Sequence, residues 1–261
     1  MPANNKQNKQ YEQELSSFPP AVVSQFRNSA RLLSGILREE DFCLWADEGV
    51  SIARHSFRSW EAAAEYFRVT PKVLAKLPFP NFMEWAKWGK ILAEESAVLS
   101  TTYFHSSPDV LAHLTPHQIG DWASLGKGLY KGTWKSGTLS SRFFEYSPSL
   151  LRYMTLGEFR RFVNFLDALS RRSYDLANEC LTSAEGVFRG MEKQDRRGFL
   201  SLVSSMVELN WRDAKASFEA GGTILSRIDR EQRGRFLDLA DRFAKRDASH
   251  IQTFLVEASK A

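Results

Sequence analysis

One ordered set of residues recurs three times along the chain, and this recurrence limits the fold more than any other feature. Each copy opens with a tryptophan and carries a glycine four residues later. The tryptophans are spaced by 40 and then 37 residues: Trp45 with Gly49, Trp85 with Gly89, and Trp122 with Gly126. Self-similarity at a period of this length is typical of arrays in which similar structural units stack on one another.

The second half of each copy carries further common positions. An aromatic pair is followed after two residues by a hydroxyl residue and proline, and then by two apolar residues three apart. The aromatic pairs and hydroxyl–proline pairs are Tyr66-Phe67 with Thr70-Pro71, Tyr103-Phe104 with Ser107-Pro108, and Phe143-Phe144 with Ser147-Pro148. Two fainter copies follow over residues 156–192 and 193–229, as expected where the end of an array meets water instead of a neighbour.

The residues of one copy indicate helices. Apolar residues around Trp85 recur at helical spacing, and no alternating strand pattern of useful length occurs. Thr115-Pro116 and the Thr155 to Glu158 spacing both mark helix starts, the second as a capping box. The hydroxyl–proline pairs have the same chemistry, so they predict a short third helix of about two turns in each unit.

We therefore predict an all-α fold, a right-handed α-solenoid of about five repeats of 37–40 residues. A single domain is expected over residues 18–261, because no linker interrupts the repeat. Residues 1–17 are polar and are expected to be disordered, since they have few apolar groups to offset ordering entropy. The predicted repeats lie near residues 37–77, 78–115, 116–155, 156–192 and 193–229, followed by a capping helix over 230–261.

Packing accounts best for the recurring tryptophan and glycine. Glycine inside a helix costs roughly 1 kcal/mol relative to alanine, so its recurrence predicts a close helix contact. We expect the tryptophan to fill the gap beside the glycine, and we expect Trp45, Trp85 and Trp122 to be buried. An aromatic binding ladder is the alternative, although aromatic stripes at helical spacing usually belong to a core.

The segment from Trp122 to Leu129, W-x-x-L-G-x-x-L, is similar to the first helix of a tetratricopeptide repeat. The period differs from the 34 residues of that family, and the unit length resembles HEAT and armadillo arrays. The repeat also resembles helical segments that precede von Willebrand A modules in bacterial proteins of the nitric-oxide-reductase-activation type, although no D-x-S-x-S motif occurs here. The resemblance implies a bacterial α-solenoid that contacts proteins, with an ATPase chaperone as one candidate partner.

Composition argues against several classes of protein. The net charge is +4, from 35 Lys and Arg against 31 Asp and Glu, whereas nucleic-acid-binding domains usually show a dense basic cluster. Nucleic acid is therefore not the expected partner. The chain shows no run of 18 apolar residues and no apolar signal segment, which predicts a cytoplasmic protein without a membrane partner.

No motif indicates catalysis. The chain lacks G-x-S-x-G, H-E-x-x-H and a phosphate-binding loop. His113 and His117 lie across a predicted turn, and Cys43 and Cys180 form no C-x-x-C pair. We therefore expect no enzyme activity, no metal and no cofactor.

Four lysines form the one candidate binding surface, the lysine ridge, defined as Lys87, Lys90, Lys127 and Lys131. Lys90 and Lys127 each follow a repeat tryptophan by five residues, and equal positions are expected to stack. A basic ridge favours an acidic protein segment, although a solvated face is the simpler interpretation. The predicted function is a protein–protein interaction scaffold that binds along one face. The alternative is a HEAT-like solenoid that binds nucleic acid in a basic groove.

Overall fold

The chain is helical throughout the part that its structure, a computed structural model, describes. That part comprises residues 5–246 and residue 253, and it contains no strand, which confirms the predicted all-α class. The helices are α1 (Asn5–Leu15), α2 (Pro20–Leu33), α3 (Glu39–Arg54), α4 (Ser59–Leu74), α5 (Phe79–Glu95), α6 (Ala97–Val110), α7 (Ile119–Leu129), α8 (Trp134–Leu150), α9 (Leu156–Ser170), α10 (Tyr174–Arg189), α11 (Lys193–Leu209), α12 (Trp211–Ser226) and α13 (Arg233–Arg246), with a 3-10 helix at Pro116–Gln118. None of these helices is both long enough and apolar enough to cross a bilayer.

The chain divides into two compact units, Met1–Lys127 and Gly128–Ala261. In the first unit, α2, α4 and α6 lie side by side, while α3 packs on α4 and α5 packs on α6. In the second unit, α8, α10 and α12 form one row, and α9, α11 and α13 form another. Each unit is therefore built from helix pairs that stack on their neighbours, and the single domain expected over residues 18–261 stays a prediction.

Both ends of the chain depart in part from the sequence expectation. A helix occupies Asn5–Leu15, within the segment expected to be disordered, and its Tyr11 and Leu15 are buried. The Tyr11 hydroxyl donates to Asp47 Oδ1 at 2.8 Å, which ties this helix to α3. A few contacts on one face thus order a segment of polar composition. At the other end, α13 covers the start of the predicted capping helix, and its remainder lies outside the described residues except for residue 253.

The expected third helix of each repeat does not form. Pro71, Pro108 and Pro148 lie inside α4, α6 and α8, which continue for two or three residues beyond them. A proline in a helix leaves the carbonyl four residues earlier without its N–H partner. At Pro71 that carbonyl, the one of Phe67, accepts instead from the Ser29 hydroxyl. Each of these three repeats therefore contains two helices.

The hydroxyl residue before the proline joins the tryptophan to the aromatic pair. The Trp85 indole Nε1 donates to Ser107 Oγ at 2.7 Å, and Ser107 Oγ donates to the Tyr103 carbonyl at 2.6 Å. The Tyr103 hydroxyl donates back to the Trp85 carbonyl at 3.2 Å. The same three bonds recur in the preceding repeat, among Trp45, Thr70 and Tyr66. These buried donors are paired, which matters because a buried donor left unpaired costs about 1–3 kcal/mol.

Aromatic rings also connect successive helix pairs in the first unit. Tyr66 stacks on Trp85 with ring centroids 5.6 Å apart, and Tyr103 stacks on Trp122 at 5.0 Å. Phe26 stacks on Trp45 in the same way at 5.4 Å. All three tryptophans are fully buried, so the packing interpretation is confirmed at these positions.

The recurring glycines make room for a phenyl ring. A Cβ added to Gly89 would lie 1.9 Å from Cζ of Phe104, and one added to Gly49 would lie 2.2 Å from Cζ of Phe67. The predicted close contact is therefore confirmed at these two glycines. The group beside them is the phenylalanine of the aromatic pair, whereas sequence analysis expected the tryptophan.

The tryptophan and its hydroxyl partner are both replaced in the pair α11–α12. Phe199 stands at the tryptophan position and Gly221 at the position of the hydroxyl residue. A Cβ added to Gly221 would lie 2.3 Å from Cζ of Phe199, so the two residues are in direct contact. A ring without an N–H needs no acceptor, and the hydroxyl is absent where the indole is absent.

We predict that Gly89→Ala lowers the free energy of unfolding by about 1–3 kcal/mol, because the Phe104 ring is fully buried and must shift. Gly186→Ala is the matched control, since a Cβ at this exposed helical glycine meets nothing within 4 Å. The control is expected to raise stability by up to about 1 kcal/mol through helix propensity alone. Urea unfolding followed by circular dichroism measures both, and equal shifts of the two midpoints would contradict the ring contact.

We predict that Ser107→Ala costs about 1–3 kcal/mol, because the Trp85 indole N–H then has no acceptor in the core. Thr102→Ala removes a hydroxyl from the same helix, one that bonds only to the Val98 carbonyl. That control is expected to change stability by less than about 0.5 kcal/mol. A cost for Ser107→Ala that persists unchanged in a Trp85→Phe background would show that the indole bond is not its source.

Candidate functional site

The lysine ridge is divided between different structural settings. Lys87 is exposed and Lys90 is half-buried, both on α5, and neither has an acidic partner among the described residues. Lys127 lies on α7, next to α5, because a Cβ on Gly120 of α7 would lie 2.7 Å from Oε1 of Glu84. Lys131 follows the end of α7 and belongs to the second unit.

Two of the four ridge lysines form ion pairs within the chain. Lys127 Nζ lies 3.3 Å from Glu95 Oε1, and Lys131 Nζ lies 3.3 Å from Asp167 Oδ1. Each pair joins residues more than 30 positions apart, so it links one helix pair to the next. Half of the ridge charge is thus balanced by carboxylates of neighbouring helix pairs, and Lys87 and Lys90 have no acidic partner among the described residues.

A groove in the second unit is a further candidate site, and the repeat pattern did not indicate it. It has a volume of about 530 Å³ and lies over α8, α10 and α12; we call it the α10 groove. Its floor is a stripe of α10 with helical spacing, Asp175, Asn178, Glu179, Thr182 and Ser183. One wall is formed by Trp134, Lys135, Thr138 and Arg142 of α8, and Glu219 of α12 stands opposite.

The amphipathic character of α10 explains why a polar stripe lines the floor. Ser173 caps the start of the helix, and its hydroxyl accepts from the Leu176 amide at 3.4 Å. Its opposite face is buried and consists of Ala177, Cys180, Leu181, Ala184, Val187 and Phe188. The buried face fixes the rotation of α10 and so aims the polar stripe away from the core.

Trp134 is the most unusual residue of the groove. It is the first residue of α8 and remains 77% exposed, whereas the three repeat tryptophans are fully buried. Exposed tryptophans are enriched among the residues that dominate protein interfaces. Sequence reasoning missed Trp134 because it stands outside the repeat pattern. Its exposure distinguishes it from the repeat tryptophans, and exposure is known only from the folded structure.

The charges of the groove are mixed and partly paired. Lys215 Nζ lies 2.9 Å from both Glu179 and Glu219, and hydrogen bonds to these two carboxylates raise the pKa of Lys215. Lys135 lies 3.3 Å from Asp175. Arg142 is exposed and has no acidic partner in the described part of the chain. The groove therefore offers both signs of charge, with the carboxylates along α10 and α12.

The described residues contain no cluster of three or more His, Cys, Asp or Glu that could hold a metal ion. Cys180 is buried, and burial raises the pKa of its thiol, which disfavours the reactive thiolate. The geometry of the α10 groove thus suits recognition of a ligand surface, with an exposed aromatic ring beside charged and hydroxyl side chains.

Comparisons with protein-family models, with curated proteins and with solved structures found no match. The likeness to tetratricopeptide, HEAT and nitric-oxide-reductase-activation-type repeats therefore depends on the residue pattern of this chain alone.

We predict that Lys127→Glu lowers the free energy of unfolding by about 0.5–1 kcal/mol, because it places two carboxylates side by side at Glu95. The swap Lys127→Glu with Glu95→Lys is expected to recover part of that loss. Lys90→Glu is the control and should change stability by less than about 0.5 kcal/mol. Thermal unfolding at low and high salt measures this, and an equal cost for Lys90→Glu at both salt concentrations would exclude the pair as the cause.

Proposed function

We propose that this protein is a protein–protein interaction scaffold, a right-handed α-solenoid of about five helix-pair repeats that binds a partner segment in the α10 groove. The repeat number is supported by five successive helix pairs, whose first helices begin at Glu39, Phe79, Pro116, Leu156 and Lys193 when the 3-10 turn before α7 is counted with it. It is also supported by the tryptophan–hydroxyl–tyrosine bonds that recur in two of them.

The observation that carries the proposal is Trp134, a large apolar side chain left in water at the mouth of a groove. Burying such a ring against a partner releases apolar surface from water, at about 25 cal/mol per Å². Lys135 lies over the ring and Arg142 lines the same groove, and both can orient a bound chain through hydrogen bonds. The other groove residues carry hydroxyl, amide or carboxylate groups. These groups can form hydrogen bonds with a bound polypeptide along the whole floor and so select among sequences.

The lysine ridge is the second candidate surface, through Lys87 and Lys90. Its two cations have no acidic partner among the described residues, which favours an acidic segment. Such a segment would bind weakly, and its association rate would depend on salt. Nucleic acid is disfavoured at the α10 groove because Asp175, Glu179 and Glu219 would face the phosphates. The resemblance of the repeat implies a protein partner, and an ATPase chaperone is one to test.

The test is a selection of peptides from a displayed random library on the whole chain. We predict that Trp134→Ala weakens the selected peptides about tenfold or more, because truncation of an interface tryptophan typically costs above 1–2 kcal/mol. The exposed position of Trp134 means that the melting temperature should not fall.

The double variant Lys87→Glu/Lys90→Glu is the matched control and should retain the selected peptides. Loss of binding in this control, with retention in Trp134→Ala, would move the binding surface to the lysine ridge. A selection that yields no peptide above background would exclude the scaffold function in this form.

A further inference from the structure

The α10 groove presents hydrogen-bond acceptors more than donors. The hydroxyls of Thr182 and Ser183 donate to the carbonyls of Asn178 and Cys180, at 2.9 and 3.2 Å, and Thr138 donates to the Trp134 carbonyl in the same way. Because these hydrogens point into their own helices, the hydroxyl oxygens are left as acceptors. A ligand that fits this floor must itself bring donors.

Asn178 extends the same pattern. Its Nδ2 donates to the Tyr174 carbonyl at 3.1 Å, which fixes the orientation of the amide. Its Oδ1 is buried and has no hydrogen-bond partner within the described residues. A buried acceptor without a donor is unfavourable, so a shift of this side chain toward a donor in the groove would be favourable.

The most exposed charged side chains on the floor are carboxylates. The side chains of Asp175 and Glu179 are 72% and 53% exposed, and they lie one turn apart on α10. The groove is lined by three carboxylates, with Glu219 as the third, and by two cations, Lys135 and Arg142, and Lys215 beside Glu179 and Glu219 adds a third cation. The groove is therefore balanced in formal charge, and exposed carboxylates lie along its floor on a chain whose net charge is +4.

Lys135 shows how a cation fits between the ring and the carboxylate. Its Nζ lies 5.6 Å from the centroid of the Trp134 ring and 3.3 Å from Asp175 Oδ2. Cations over a tryptophan face are stabilised by the ring quadrupole. An exposed ion pair of this kind is worth only about 0–1 kcal/mol, so a guanidinium or ammonium group from a ligand can take the place of Lys135.

We propose that the α10 groove binds a basic segment of a partner protein, with arginine or lysine side chains directed to Asp175 and Glu179 beside Trp134. This inference rests on the proposed function and names the chemistry of its partner. Carboxylates bind guanidinium through two parallel hydrogen bonds, which gives arginine an advantage over lysine at this site. Arg142, about two turns after Trp134 on α8, is left to hold a carbonyl or carboxylate of the same segment.

The test uses four pools of fluorescein-labelled peptides of one length. In three pools, Gly, Ser and Ala alternate with basic, acidic or apolar residues. The fourth pool contains Gly, Ser and Ala alone. Binding to the whole chain is measured by fluorescence anisotropy over a salt series. The basic pool is expected to bind most tightly, with its arginine members ahead of its lysine members. General attraction to a chain of net charge +4 would favour the acidic pool instead, so the expected order is specific to the groove.

Asp175→Asn and Glu179→Gln are each expected to weaken the basic pool about three- to tenfold. Glu94→Gln makes the same charge change at an exposed position of α5 outside the groove, and it should leave binding unchanged. Equal weakening by all three variants would show long-range electrostatics and overturn the inference.

Two further outcomes separate this inference from the proposed function. Preference for the acidic or apolar pool, lost in Trp134→Ala, would overturn the basic partner and leave the scaffold in place. Absence of binding by every pool would overturn both.

Discussion

The hydrogen bond from a buried indole to the hydroxyl residue of the next helix holds the helix pairs of the first unit in one arrangement. It is directional, and it is made in a core where water cannot replace it. The tyrosine hydroxyl closes the set by binding the carbonyl of the tryptophan, and the tyrosine ring then stacks on the next tryptophan. Each helix pair is thereby fixed internally and against its neighbour by the same few side chains.

Much of the fold follows from the order of residues in the repeat. The all-α class, the burial of the tryptophans and the close contact at Gly49 and Gly89 all derive from helical spacing and from the cost of glycine in a helix. The capping box at Thr155 also forms as predicted, with the Glu158 carboxylate accepting from the Thr155 amide at 2.7 Å. These features depend on neighbours that the local sequence already contains.

The features that could not be predicted depend on partners distant in sequence. Thr70-Pro71 has the residues of a helix start, whereas the donor to the carbonyl that the proline leaves without a partner is Ser29, 38 positions before Phe67. The helix α1 is ordered by Asp47, and the ridge lysine Lys127 is balanced by Glu95. The α10 groove arises where three helices meet, so no single segment of sequence carries its signature.

The replacement of tryptophan and hydroxyl by Phe199 and Gly221 has a consequence for how the repeats diverge. A tryptophan at position 199 would bring a buried N–H without an acceptor, while any side chain at position 221 would collide with the phenyl ring. Neither residue can return alone to the form found in the first unit without an unfavourable intermediate. The two positions therefore constitute a coupled pair, and an evolutionary path between the two kinds of repeat must change both residues or pass through a smaller side chain at position 199.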